Sequence, residues 1–330
     1  MKELVFMTGA TGFIGKYIVD RLLAKGYAIR CLIRESSNID YLKDKPDIQT
    51  VVGDITKPET LKGIGDGVSY VLHLAATGHI AAMSEEAFRE FVSINEGGTR
   101  NLIEAFKGGG LKKFISFSST AAMGPVGTDI QSEKSIPNPK TPYQKSKLRS
   151  EQVALDAFKE GFPSLIVRPC MVYGVGGKGA FYTFYRLMTK GRFPRVGKGE
   201  SLTPMAYVTD VADGAIAAME RGKPGEVYIL AGAQSYGIDD IRNTIVKYAG
   251  GNPPYVHLPK GLAFFGVSAL EKLYTLLGKE PIATLENVKS SAADRTFDIS
   301  KARSEIGYDP RVGLDEGIKK TVGWYKEMGY

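Results

Sequence analysis

The chain has 330 residues, 43% of them hydrophobic and 24% charged, which is the balance of a folded globular protein large enough for one large or two modest domains. A formal net charge of +7 arises from scattered lysines and arginines; no basic run interleaved with aromatics marks a nucleic-acid surface, and the field suits small anionic ligands instead. No apolar segment approaches the roughly 18 residues of a membrane span, and Met1-Lys2-Glu3 runs straight into a strand, so a cytoplasmic chain without a signal segment or membrane span is expected.

Leu4-Val5-Phe6-Met7 is an apolar run of strand type. It leads into Thr8-Gly9-Ala10-Thr11-Gly12-Phe13-Ile14-Gly15, and then into helical periodicity from Lys16 to Lys25, with Ile18, Leu22 and Leu23 on one side and Gly26 as the stop. Strand, glycine turn and helix make a first βα unit. Glycines at such a turn let backbone pass close to a pyrophosphate, whose charge is held by the free N–H groups and the positive dipole end of the helix. An ordinary tight turn would use glycine too. The place of this one, between a strand and a helix with further βα units behind it, favours a dinucleotide site built from Gly9, Thr11, Gly12, Phe13, Ile14 and Gly15.

Tyr27 to Ile33 reads as the second strand. At the end of that strand an NAD site places a carboxylate for the ribose 2′-OH, whereas an arginine suits a 2′-phosphate. Counted from Gly15, the acidic position falls on Ile33 and the next residue is Arg34, which favours NADP(H). NAD is the alternative, with Arg34 a solvated charge and Glu35 the ribose ligand. Ile48 to Val52 is a third strand, followed by Asp54 and Ile55; alone, Asp54 reads as a turn residue or cap. Ser69 to Leu74 is a fourth, closing with Ala75 and Ala76, small residues where the chain passes close to the cofactor, and Leu74 is counted with them as a cofactor-site candidate. His73 and His79 flank this point and are assigned no role.

Ser84 to Lys107 reads as one long helix containing Asn95, Gly98, Thr99 and Asn101. Its adjacent glycines, Gly97 and Gly98, cost about 1 kcal/mol each relative to alanine, so close packing is their expected cause. Lys113 to Phe117 is the fifth strand, with Ser118-Ser119-Thr120 at its carboxyl end, the edge at which open α/β sheets carry their chemistry. Tyr143-Gln144-Lys145-Ser146-Lys147 then opens a helix to Lys159. Tyr143 and Lys147, four apart, project from one face. A carbonyl receiving hydride develops negative charge on oxygen and needs a proton donor. A tyrosine, with an ordinary pKa of about 10, cycles near neutrality only if a nearby cation favours its anion. Tyr143 is therefore read as general acid/base, Lys147 as its activator and ribose ligand, and Ser119 as the hydroxyl orienting the substrate oxygen, with Ser118 or Thr120 as substitutes. Ser164 to Val167 is a sixth strand, with Pro169 after it, and Val227 to Leu230 a late one. Cys31 and Cys170 both lie in apolar stretches, as free thiols in a reducing compartment do, and neither a disulfide framework nor a metal site is expected.

The Thr8–Gly15 turn is followed in order by Asn95-Glu96-Gly97-Gly98-Thr99-Arg100-Asn101-Leu102, by Ser119 with Tyr143 and Lys147, by Arg168-Pro169-Cys170-Met171-Val172-Tyr173-Gly174 and by Tyr207-Val208-Thr209-Asp210-Val211-Ala212. Together these segments resemble the extended short-chain dehydrogenase/reductase family, the NAD(P)-dependent epimerases, dehydratases and reductases, over nearly the whole chain. The resemblance implies a Rossmann-type α/β fold: a doubly wound parallel sheet formed by residues 1–170 and 205–231, with a smaller split substrate domain from 171–204 and 232–330. It also implies Asp54 and Ile55 at the adenine, Asn95 and Pro169 in the cofactor site, and a homodimer through the helices that contain Asn101 and Tyr143.

Relatives that handle nucleotide sugars often carry an arginine shortly before the Tyr-Val-x-Asp segment, where its fork clamps a pyrophosphate. Here that position is about Thr203, followed by Pro204 and Met205, a less polar version similar to dihydroflavonol reductases and 3β-hydroxysteroid dehydrogenases. Phe181, Phe184, Phe264 and Phe265 are candidates for an apolar pocket, or for core. Arg192 and Arg195 keep a phosphate-binding alternative open. The expected activity is NAD(P)-dependent hydride transfer to or from a secondary alcohol or ketone of a fairly apolar small molecule. The alternatives are a nucleotide-sugar epimerase or dehydratase and a non-catalytic NAD(P)-binding regulator, which would need none of Ser119, Tyr143 and Lys147. Leu258 to Leu277 is expected to be a pocket-lining helix, with a membrane-surface helix as the lesser reading.

Overall fold

The computed structural model describes residues 2–78, 84–125, 130–199, 201–251, 253–276, 285 and 294–330; His79 and Leu277, named above, lie outside the described residues. Strand β1 (Leu4–Thr8) sends Val5 and Met7 into one core and Phe6 into another. That is the period-two alternation of a strand covered on both faces, which explains why its sequence is apolar without a break. In chain order there follow α1 (Phe13–Ala24), β2 (Ala28–Ile33), β3 (Ile48–Val52), β4 (Val68–His73), α2 (Glu85–Phe91), α3 (Gly98–Phe106), β5 (Lys113–Phe117), α4 (Pro142–Lys159) and β6 (Ser164–Pro169). After these come β7 (Met171–Tyr173), α5 (Ala180–Thr189), β8 (Arg195–Val196), β9 (Leu202–Tyr207), α6 (Val208–Arg221), β10 (Val227–Leu230), β11 (Ser235–Gly237), α7 (Ile238–Ala249), β12 (His257–Leu258), α8 (Lys260–Leu276) and α9 (Leu314–Glu327).

Seven strands form one parallel sheet in the order β10-β6-β5-β4-β1-β2-β3, the expected Rossmann-type arrangement. The chain winds outward from β1 to β3 and then crosses to β4 on the other side of β1, so the sheet reverses direction between β1 and β4. Open α/β sheets bind ligands in the crevice at the carboxyl ends of such a switch. Ile18 and Leu22 of α1 and Val211 and Ala215 of α6 fill one face of the sheet; Leu102 and Phe106 of α3 and Val153 and Ala154 of α4 fill the other. A three-stranded sheet, β11-β9-β7, and a pair, β12-β8, lie beyond it. A third core, containing Tyr173, Phe181, Tyr185, Ile241, Ile318 and Tyr325, joins α5, α7 and α9 there, with the Tyr185 and Tyr325 ring centroids 4.7 Å apart.

Two expected helices differ from their sequence reading. The segment 84–107 is α2 and α3 joined through a π-helical turn, Val92–Gly97. Thr99 Oγ1 donates to Asn95 O at 2.6 Å, taking up a carbonyl of the turn, and such turns insert one residue where a side chain must be re-aimed. Gly98 packs as expected, since a Cβ there would lie 2.5 Å from Ile55 Cδ1, whereas Gly97 has only ordinary van der Waals space around it. The second case is α8. Leu262, Phe265, Leu270, Leu273 and Leu276 are exposed, Phe265 at 74%, so Phe265 lines no pocket, and Phe181 belongs to the third core. A helix turns 100° per residue, so the adjacent phenylalanines 264 and 265 cannot both face inward.

Candidate active site

The glycine turn is shaped by close approach. Gly9 adopts φ +71°, and a Cβ on Gly15 would sit 2.1 Å from Gly9 O. Gly12 N–H donates to Gly9 O at 3.0 Å, and Gly12 caps α1 without a side chain and with no acidic residue in the first turn. The N–H groups of Phe13, Ile14 and Gly15 therefore have no helical acceptor and no competing carboxylate, which fits an anion at this end of the helix. Thr11 is half-buried between the glycines. The turn abuts the end of β4, because a Cβ on Gly9 would lie 3.1 Å from Ala75 N and from Leu74; Ala76, the next residue, is exposed.

A buried histidine locks these two loops together. Thr8 Oγ1 accepts from Ala75 N–H at 2.9 Å and lies 2.8 Å from His73 Nδ1. His73 Nε2 lies 3.1 Å from Thr99 Oγ1, whose own proton goes to Asn95 O. Thr99 must therefore accept from Nε2–H, and Thr8 must donate to Nδ1. This requires a neutral ring, and burial, aided by the charge of Lys147, pushes the His73 pKa down to about 3. His73 is thus a structural brace.

At the other end of the switch, Arg34 is exposed, and among the described residues its guanidinium forms no salt bridge. Its charge helps to hold the neighbouring Asp54 carboxyl low, after the hydrogen bonds from Thr56. Thr56 N–H and Oγ1 occupy Asp54 Oδ1 at 2.8 and 2.7 Å, so Oδ2 is the oxygen left for a ligand. Glu35 is exposed beside Arg34. Ile55 is buried, with its carbonyl held by Asn101 Nδ2 at 2.8 Å.

Asn95 sits in the π turn with its amide taken up by protein partners. Oδ1 accepts from Thr77 N–H at 2.9 Å, and Nδ2 donates to Thr77 O at 2.8 Å and to Ser146 Oγ at 3.0 Å. Ser146 in turn donates to Tyr143 O at 2.9 Å. Asn95 therefore ties the loop after β4 to the first turn of α4 and braces the site from behind. That turn is set by a capping box, Thr141 with Gln144, and by Pro142 at the first helical position.

Tyr143 and Lys147 do share a face of α4. The Ser119 hydroxyl is within hydrogen-bonding reach of the Tyr143 phenol, whose pKa is raised by burial and drawn back by that contact. Ser119 Oγ also accepts from Ala121 N–H at 3.1 Å, while the buried Ser118 Oγ has no partner. Lys147 is 4% exposed and donates to Phe117 O at 2.7 Å, two residues before Ser119. Its pKa is lowered to about 8 by burial, against the opposing effect of Glu151. Ser119, Tyr143 and Lys147 are thus brought together at the carboxyl end of β5.

Two neighbours of this group carried no assignment from sequence. Glu151, one turn after Lys147, forms a buried bidentate pair with Arg168 of β6, at 2.8 and 2.7 Å, next to the buried Pro169. Its position eight residues after Tyr143, on the same helical face, was a legible signal. Gly78 had no local signal. A Cβ there would lie 2.2 Å from Tyr143 Cδ2, so Gly78→Ala should push the ring from its place. We expect kcat to fall by roughly tenfold to a hundredfold with cofactor affinity little changed; steady-state kinetics beside a cofactor titration would check this, and unchanged kcat would show that the ring has room to move.

The model of the NAD dependent epimerase/dehydratase family matches residues 5–231, the span that carries the glycine turn, Ser119, Tyr143 and Lys147. The chain belongs to this family. Among epimerase/dehydratase relatives, a Synechocystis sp. protein named "Putative dihydroflavonol 4-reductase" is 30% identical, over 100% of this chain and 96% of its own. The 2-alkyl-3-oxoalkanoate reductase of Shewanella oneidensis is 28% identical, over 96% and 84%. Among solved structures, the UDP-glucose 4-epimerase of Thermotoga maritima with UDP-glucose superposes with a TM-score of 0.79 at 26% identity, covering 99% of this chain and 100% of that one. As a member of the epimerase/dehydratase family with reductase relatives, the chain is an NAD(P)-dependent oxidoreductase. Among the described residues no helix is long and apolar enough to cross a membrane.

Proposed function

We propose that the chain uses NADP(H) to reduce a ketone, or to oxidise the matching secondary alcohol, on a largely apolar small molecule. The observation that carries this is the meeting of Ser119, Tyr143 and a buried Lys147 at the end of β5, beside the glycine turn. Gly9, Thr11, Gly12, Phe13, Ile14 and Gly15 would hold the pyrophosphate, Asp54 and Ile55 the adenine, Leu74, Ala75, Ala76 and Pro169 the path to the nicotinamide, and Asn95 would support it. The cofactor supplies or accepts the hydride. Ser119 holds the substrate oxygen, and Tyr143, kept protonated by its burial, donates to that oxygen as negative charge develops. Lys147 lends positive charge to the resulting phenolate and binds ribose.

The exposed Arg34, free of salt bridges among the described residues, supports NADP(H) over NAD. Arg34→Ala should weaken NADPH binding by roughly tenfold to a hundredfold and NADH binding by less than about threefold, because a charge-assisted bond to phosphate has no counterpart on a hydroxyl. Fluorescence titration of both cofactors decides this; equal losses, or a wild-type preference for NADH, would make Arg34 a surface charge.

The relatives named as reductases of a dihydroflavonol and of a 3-oxoalkanoate support a ketone on an apolar frame, and buried Thr203 and Met205 are consistent with it. Likeness to the UDP-glucose epimerase supports the second reading, nucleotide-sugar chemistry. Apolar ketones should raise the melting temperature in the presence of NADP(H) and oxidise NADPH, whereas UDP and dTDP-sugars should do neither. A clear shift with sub-millimolar UDP would favour the epimerase reading, and absence of turnover with every ketone and sugar would favour a regulatory protein. The proposal takes the chain as a cytoplasmic homodimer joined through α3 and α4, with residues 1–170 and 205–231 serving the nucleotide and 171–204 and 232–330 the substrate.

A further inference from the structure

An arginine with part of its guanidinium enclosed and no acceptor on it is uncommon in folded proteins, since burying charge unpaired is costly. Arg295 is such a group: the residue is half-buried and its Nε is enclosed. Its backbone is fixed: Arg295 N–H donates to Leu202 O at 2.9 Å, Gln131 N–H to Thr296 O at 2.9 Å and Asp298 N–H to Gln131 O at 2.7 Å. Its side chain is buried deeply enough to lower its pKa, and Nε is enclosed with no partner. Among the described residues the guanidinium makes neither an ion pair nor a hydrogen bond. The titratable group that acts on it is the Cys170 thiol, itself kept neutral by burial that pushes its pKa up to about 12. On the paired segment, Gln131 Oε1 is also enclosed without a donor.

Three stretches meet at this arginine: the residues after β6, the connection between β5 and α4, and the start of β9. Cys170 follows Pro169 at the carboxyl end of β6, the strand beside β5 and Ser119. Gln131 lies in the connection from Ser119 to Tyr143. Leu202 opens β9, next to Thr203. A protein that needed only packing here would place an apolar residue. A charge kept in this position without a counter-ion is matched by one that arrives with a ligand.

We propose that Arg295 is the anchor for a carboxylate on the substrate, so that the molecule reduced combines a ketone, an apolar body and one acid group; this rests on the ketone reductase reading above. A carboxylate presents two oxygens in one plane, which the guanidinium fork accepts as parallel hydrogen bonds. One cation matches one negative charge. A pyrophosphate carries more, and residues 203–205 add no second cation. The Gln131 side chain, whose Oε1 is enclosed without a donor, adds a polar group to this lining.

Decanoate, methyl decanoate and UDP are the probes, each added to the protein saturated with NADP(H). Decanoate should raise the melting temperature and its methyl ester should not. Arg295→Met should lose the decanoate shift while keeping the cofactor shift, and Arg295→Lys should keep part of both. In turnover, Arg295→Met should raise KM for 3-oxodecanoate by roughly tenfold to a hundredfold and leave KM for its methyl ester unchanged. Equal shifts from acid and ester, or a decanoate shift that survives Arg295→Met, would overturn the anchor, as would a UDP shift that depends on Arg295. If Arg295→Met fails to bind cofactor, the wild-type comparison of acid with ester decides. Should no ketone be reduced while the decanoate shift depends on Arg295, the reductase reading falls and the anchor stands. Should acid and ester be reduced with the same KM in both proteins, the anchor falls and the reductase reading stands.

Discussion

Tyr143→Phe should lower kcat for ketone reduction by roughly a hundredfold to ten-thousandfold, the range that a positioned proton donor contributes, while the dissociation constant for NADPH moves by less than about threefold. The substitution removes one oxygen and leaves the ring against Phe91, whose centroid is 6.4 Å away, so the first turn of α4 and its ties to Asn95 are unaffected. Ser119→Ala should cost less, because the donor survives and only its alignment and that of the substrate oxygen suffer. Single-turnover kinetics beside a cofactor titration separate the two effects. Activity of Tyr143→Phe within a few-fold of wild type would remove Tyr143 from the chemistry and leave the hydroxyl of Ser119 as the donor to test next.

Glu151→Gln should destabilise the fold by about 3–5 kcal/mol, because breaking one side of a buried ion pair strands the other charge. Arg168 is 4% exposed and Glu151 1%, and Arg168 Nη1 already has no partner, so the guanidinium has nowhere to turn. A fall in melting temperature of roughly 4–7 °C is expected, with much of it recovered in Glu151→Leu/Arg168→Met, where no charge remains. Thermal unfolding of Glu151→Leu, Arg168→Met and the double variant gives the coupling directly; a loss below about 1 kcal/mol in Glu151→Gln would mean that water reaches the pair. The same carboxylate supports the charge on Lys147, whose pKa stands at about 8 and is raised by Glu151. Without it Lys147 loses its proton at lower pH, so the alkaline fall of kcat/KM should shift to lower pH in whatever fraction of the variant stays folded.

The parts of this site that could be read from sequence are those that depend on neighbours a few residues away. A glycine turn between an apolar run and a helix, and a tyrosine four residues before a lysine, are patterns of backbone period, and β3, β5 and β10 begin and end where their sequence runs do. The helix over 84–107 was harder. Its periodicity is helical throughout, but the π turn comes from where the Asn95 and Thr99 side chains find partners, and Thr77 and Ser146 are 18 and 51 residues from Asn95.

Local order along the chain therefore determined the strands, the glycine turn, the Ser119, Tyr143 and Lys147 set and the family they resemble. Tertiary structure alone decided what each polar group faces. It made His73 a neutral brace through Thr8, 65 residues away, and Thr99. It set Gly78 against the Tyr143 ring, turned the leucines of α8 to the surface, and left Arg295 Nε enclosed with no partner among the described residues. The reason is physical: backbone period is set by sterics within one or two turns, whereas the partner of a buried charge or hydroxyl is whichever group the fold carries to within about 3 Å.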